Sequence, residues 1–176
     1  MSSQTNRQSS YALRTKRLAL SAILAALAMI FSYIEALFPL PVPVPGIKVG
    51  LANLVIIIAI YRLGFKNAFL INLIRILTTG LLFTGLFGAI YSLSGGILSL
   101  MAMYLLYRTD KFSMVGVSMA GGVFHNLGQL ITACIIMSNY RLMSYFSVLV
   151  FAGMISGILI GVAAHLVYQK LPHLTI

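Results

Sequence analysis

The stretch LFPLPVPVPGIKVGLAN, residues 37–53, decides how this chain is read. Four of the chain's five prolines, Pro39, Pro41, Pro43 and Pro45, fall within seven residues of it, and Gly46, Lys48 and Gly50 follow at once. Proline fixes φ and has no backbone N–H, so this run belongs in no helix interior. On either side the sequence is strongly apolar, over residues 18–38 and again over 50–62. The second of these is short: at about 1.5 Å per residue it reaches only about 20 Å, against a bilayer hydrocarbon core of roughly 30 Å. Its outer end must start below the membrane surface, and the proline run must dip inward to meet it. Prolines tolerate that, because they bring no N–H donor that needs a partner in a dry place. As a polyproline-like chain at about 3.1 Å per residue, residues 39–45 can cover about 20 Å of the outer face. Gly46 and Gly50 then supply the turns that bring Lys48 over whatever lies beneath.

Outward from this loop the whole chain reads as membrane protein. Of its 176 residues 60% are hydrophobic and only 8% charged, with a mean hydropathy of +1.02, which leaves too little polar surface to cover a soluble globule. Taking about 20 apolar residues per crossing, six segments emerge: 18–38, 50–62, 66–84, 86–107, 114–137 and 143–169. The weakest break is the one around Thr84–Gly88, marked only by glycines and a threonine. Residues 1–14 are polar and expected to be a mobile tail, and residues 15–176 a single transmembrane domain. The expected fold is therefore all-α: an integral bundle of six transmembrane helices with a re-entrant proline-rich first outer loop.

The cations orient it. With the N-terminus inside, Arg7, Arg14, Lys16, Arg17, Arg62, Lys66, Arg108, Lys111 and Lys170 all lie on the cytoplasmic side. Lys48 and Arg141 are outside, and Arg75 falls within a helix, so the positive-inside rule puts both termini in the cytoplasm. The net charge of +10 thus encodes topology and not a nucleic-acid surface, since its cations stand singly at the ends of apolar runs. The single cysteine, Cys134, rules out an internal disulfide framework and a multi-cysteine metal site.

Chemistry is constrained as tightly. The only acidic residues are Glu35 and Asp110, which this topology places on opposite sides of the membrane. Paired-carboxylate catalysis and carboxylate-bridged magnesium are excluded within one chain, and no P-loop motif occurs. No catalytic residue, cofactor or metal is expected. Arg75, near the middle of the third segment, costs about 2.5–3.5 kcal/mol on insertion scales and needs compensation. Asn72, Arg75 and Thr79 share one helical face, which fits either an ion pair with Glu35 or an anion in a pocket. In GGVFHNLGQLITAC, residues 121–134, His125 shares a face with Thr132, with Asn126 and Gln129 close beside it. His125 fits either an interhelical strut or, with its polar neighbours, a cavity wall. The topology assigns Glu35, Lys48, Asn53, Thr79, Tyr91, Ser92, Ser94, Asn126, Gln129 and Thr132 to the middle or outer half, so the polar groups converge on an outward-facing site. The candidate substrate-binding set is Glu35, Lys48, Asn53, Asn72, Arg75, Thr79, His125, Asn126 and Gln129, with bound lipid headgroups giving the same signature. Small residues at four-residue spacing, Ala22 with Ala26 and Gly153 with Gly157 and Gly161, allow close helix approach, within the chain or to a partner.

The six-helix layout, the basic N-terminus leading into Ala22-x-x-x-Ala26, the long first outer loop and PGIKVGLANL at residues 45–54 resemble a bacterial membrane family. These are the heptaprenyl diphosphate synthase component I, or Gx transporter, proteins, themselves similar to the substrate-binding S-components of energy-coupling-factor (ECF) transporters. The resemblance covers about residues 14–170. It implies capture of a small vitamin-like or isoprenoid- or quinone-related molecule in an outward pocket. It further implies residues 39–49 as a lid, and Ala22 and Ala26 as the contact with a transmembrane coupling subunit that carries two ATPases. The synthase name implies something else, since prenyl diphosphate synthases hold magnesium diphosphate with aspartate-rich motifs. A chain with one aspartate could serve there only as a noncatalytic membrane subunit.

Overall fold

In the computed structural model the described residues are 2–37 and 50–171, with side chains from Tyr11 onward. They form α1 (Ser2–Leu37), α2 (Leu51–Leu63), α3 (Phe65–Thr79), α4 (Gly85–Arg108), α5 (Met114–Ile136) and α6 (Phe146–Lys170), with no strand among them. A short 3-10 turn, Tyr140–Tyr145, leads into α6. Four stretches are long and apolar enough to cross a membrane: Tyr11–Leu37, Phe65–Arg108, Met114–Ile136 and Tyr140–Lys170. They mark a multi-pass membrane protein. Its surface carries the large apolar side chains lipid requires, such as Leu18, Leu81, Phe151 and Leu159.

Two boundaries differ from the sequence reading. Helix α1 begins at Ser2, within the polar stretch 1–14; nothing in 2–14 is proline or glycine, so nothing stops the helix. The break expected near residues 84–88 contains no loop either. Here α3 runs through a five-residue π-helix, Gly80–Thr84, into α4 with no residue between them, so the described residues fall into five contiguous helical runs and not six separated ones. The long stretch nonetheless doubles back, because Gly85 takes φ 69°, ψ −178°, which no helix accommodates and which side chains resist. Asn72 Nδ2 reaches Gly96 O at 3.1 Å, whereas 24 residues of straight helix would span about 36 Å. At the fold Gly80 packs so tightly on Ala89 that an added Cβ would lie 2.5 Å from the alanine's own.

The short helix α2 is the centre of the bundle. Ala52 and Val55 through Ile60 are all buried, and α2 touches each of the other five helices. A helix apolar on every side belongs inside. Because lipid is as apolar as isoleucine, its packing is held by dispersion and fit more than by water exclusion.

The glycines of α5 and α6 serve intramolecular packing. A Cβ on Gly122 would strike Gly153 O, and one on Gly157 would sit 2.6 Å from Met119 Cα. Backbone therefore lies against backbone along this antiparallel pair, and Gly153, Gly157 and Gly161 are spent there.

The end of the bundle at the C-terminus of α2 is closed. Arg62 Nη2 donates to Tyr168 O at 3.1 Å and Leu171 O at 3.0 Å, carbonyls at the end of α6 that have no helical partner. Its guanidinium lies 4.2 Å above the Tyr168 ring. Tyr61 packs against Tyr107 with ring centroids 4.6 Å apart and against Tyr168 at 5.9 Å, a density of aromatics typical of a membrane interface.

Candidate functional site

At the opposite end, where α2 begins, the helices part around a cavity of about 270 Å³. It is lined by Ser32, Glu35 and Ala36 of α1, Gly50, Ala52 and Asn53 around the start of α2, and Arg75, Ile76 and Thr79 of α3. Phe83, Thr84, Ser92 and His125 complete it. Five candidates chosen from the sequence thus meet in one place: Glu35, Asn53, Arg75, Thr79 and His125.

Arg75 lies at the cavity's deep side, only 7% exposed. Its Nε and Nη2 both donate to Asn72 Oδ1, at 3.1 and 2.7 Å, and Nη1 donates to Ser32 Oγ at 3.4 Å. Asn72 is fixed in turn through the Gly96 carbonyl on α4. Asn72 therefore stands behind the arginine, holding one edge of its planar fork. The terminal edge, Nη1 and Nη2, keeps further N–H groups, with the long Ser32 contact alone on it among the described residues. The i, i+3, i+7 spacing carries this arrangement, because those residues share one face of α3.

Glu35 has a role that spacing could not show. Its Oε1 accepts hydrogen bonds from Gly50 N at 2.5 Å and Leu51 N at 3.1 Å. The N-cap of α2, Gly50, sits at φ 78° and offers no side chain. A carboxylate from α1 thus substitutes for the missing cap and places negative charge at a helix N-terminus, where it is favoured. The ion pair between Arg75 and Glu35 is not formed directly: each charge is held by neutral groups, and the two act on one another through space.

The remaining candidates divide. Asn53 and His125 line both this cavity and a narrow neighbouring one with Ser118 and Asn126. Asn126 ties α5 to α6 by donating to Leu149 O at 2.8 Å, the strut role that the sequence had offered for His125. Gln129 lines neither space; it is 2% exposed, packed over Gly95, and neither end of its amide has a partner among the described residues. Thr79 Oγ1 is likewise buried without a partner among them. Lys48 and the proline-rich lid lie outside the described residues. Ala22 and Ala26 are exposed on the outer side of α1, while Ala25 and Ala28 face the core. Ser32, Phe83 and Thr84 were not singled out from sequence; Ser32 was legible as the residue one turn before Glu35 on the same face.

A second, apolar pocket of about 590 Å³ opens between α4, α5 and the start of α6, walled by Phe87, Tyr91, Leu130, Ile136 and Leu149 among others. Among the described residues no three of His, Cys, Asp and Glu come together at metal-binding range. What the first cavity offers is one guanidinium, one carboxylate, an imidazole and several hydroxyl and amide groups.

Comparison with known proteins gives one match. The profile of the family described as heptaprenyl diphosphate synthase component I aligns with residues 24–167, a span that contains every cavity residue named above. No curated protein and no solved structure matches the chain.

Proposed function

The chain belongs to the heptaprenyl diphosphate synthase component I family, and on that premise we propose that it is a membrane-embedded substrate-binding subunit. In this reading it captures a small molecule from outside the bacterial inner membrane and hands it to partner subunits for ATP-driven uptake, in the manner of an ECF S-component. The observation that carries the reading is the polar cavity with a buried, pre-positioned Arg75 at its deep side. The excess of Lys and Arg at the other end of the bundle supports an outer-face position for this cavity. Ala22 and Ala26, exposed on α1, present a small-residue face to a transmembrane coupling subunit carrying two ATPases.

The chain itself performs no catalysis in this reading. Glu35 is engaged as a helix cap, and Asp110 sits in the turn between α4 and α5, at the opposite end. The test is affinity purification from membranes: a coupling subunit and ATPases co-elute with the wild type, and Ala22→Leu removes them while ligand stays bound. Coupling that survives Ala22→Leu refutes the proposed contact.

A second reading makes it the noncatalytic membrane component of prenyl diphosphate synthesis. The family description, which implies a partner component, favours it, as does the 590 Å³ apolar pocket, suited to a hydrocarbon chain. Deletion of the chain then lowers the activity of a soluble aspartate-rich synthase; unchanged activity rejects this reading.

A further inference from the structure

Arg75 and Glu35 carry opposite charge, line the same cavity and do not touch. In a low-dielectric interior such charges attract strongly, and both side chains are long enough to adapt. Each is instead held where it is by neutral groups: Arg75 by Asn72, itself anchored to the Gly96 carbonyl, and Glu35 by the Gly50 and Leu51 N–H groups. The holding leaves something over on each side. The terminal edge of the guanidinium retains N–H donors, and Glu35 Oε2 makes no hydrogen bond among the described residues. Thr79, one turn beyond Arg75 on α3 and part of the same cavity wall, adds a buried hydroxyl with no partner among those residues.

We propose that this cavity is built for a small zwitterion, its anionic group on the terminal edge of Arg75 and its cationic group at Glu35 Oε2. The proposal rests on the substrate-binding reading above and narrows it. A simple anion at Arg75 would share the cavity with the Glu35 carboxylate, and a simple cation would face the guanidinium; only a ligand of both signs satisfies both walls and leaves the buried site neutral. A diphosphate brings more negative charge than one guanidinium can balance. Size points to a small ligand: about 270 Å³ lies just below the range of ligand cavities, roughly 300 to 1,000 Å³. An ammonium and an anion on a short spacer occur both in free amino-acid-like molecules and in the headgroup of phosphatidylethanolamine.

The experiment uses the full chain in mild detergent, with native mass spectrometry for retained molecules and calorimetry with 4-aminobutanoate, butanoate and butylammonium as matched probes. The wild type binds 4-aminobutanoate about tenfold more tightly than butanoate, and Glu35→Gln brings the two within about twofold of each other. Glutamine keeps the Oε1 acceptor for the α2 N-terminus, so the variant tests charge and not folding, while Arg75→Gln loses both anionic probes. Butanoate binding as tightly as 4-aminobutanoate, or a preference unchanged in Glu35→Gln, overturns the assignment. A retained molecule of single sign or none overturns it too, yet leaves the substrate-binding reading in place. No retained molecule and no probe binding overturns both. A retained zwitterion supports it, its mass separating a phosphatidylethanolamine from a soluble ligand.

Discussion

Two arginines, thirteen positions apart, occupy the two ends of the bundle and meet opposite fates. Arg62 donates hydrogen bonds to the closing carbonyls of α6 and lies over the Tyr168 ring within a cluster of aromatics. Arg75 is gripped along one edge by Asn72 and faces a cavity with the rest. Both are charges in a membrane protein and both are compensated. The first, however, serves to finish the fold, and the second is held in readiness. The difference lies in the partner: a backbone carbonyl at a helix end is a need the fold must meet, whereas the Asn72 amide is a bracket that orients a cation without neutralising it.

Substitution separates the two roles. The largest effect is expected from Arg75→Ala, which costs about 2–5 kcal/mol of ligand affinity through loss of a buried charged contact, measured by calorimetry on the detergent-solubilised protein. Arg62→Ala should instead cost about 1.5–3 kcal/mol of stability through its charged hydrogen bonds, seen as a lower unfolding temperature at unchanged affinity. If Arg62→Ala weakens binding as much as Arg75→Ala does, the two ends are not functionally distinct. Asn72→Ala keeps the charge and removes its bracket, so affinity falls by about 1–1.5 kcal/mol, roughly one neutral hydrogen bond; equal affinity would mean the arginine orients itself. The smallest effect carries an unusual sign. Gln129 sits in the cavity half of α5 with neither end of its amide paired among the described residues, so Gln129→Leu should leave stability unchanged or raise it by about 1 kcal/mol. A clear loss in thermal unfolding would show the amide to be engaged after all.

Much of this was legible before any coordinates. The all-helical class follows from composition, and the short second helix from counting residues 50–62 against a bilayer. The face joining Asn72, Arg75 and Thr79 follows from helical periodicity, because these residues communicate within a turn or two of one helix. What escaped depends on relations between helices. No spacing rule connects Glu35 with Gly50, fifteen residues on and across the proline-rich loop, so the cap on α2 could not be read, nor the reason Glu35 is kept from Arg75. Asn126 and Gln129 lie within one turn of His125, yet only His125 of the three lines the main cavity: the path of α6 draws Asn126 to Leu149, and Gln129 packs over Gly95 of α4. The fold-back at Gly85 falls inside the break read near residues 84–88, but its form was hidden for a related reason, since a single positive-φ glycine can reverse a chain with no loop residues to announce it.

The borrowed cap on α2 also bears on how the bundle holds together. A helix of thirteen residues is marginal alone and too short to be accepted into a bilayer as a crossing segment. Its first turn is completed only by a carboxylate that α1 carries. The central helix of the bundle therefore depends on its neighbour for a complete first turn, so a change confined to one side chain of α1 reaches the element that the other helices pack around.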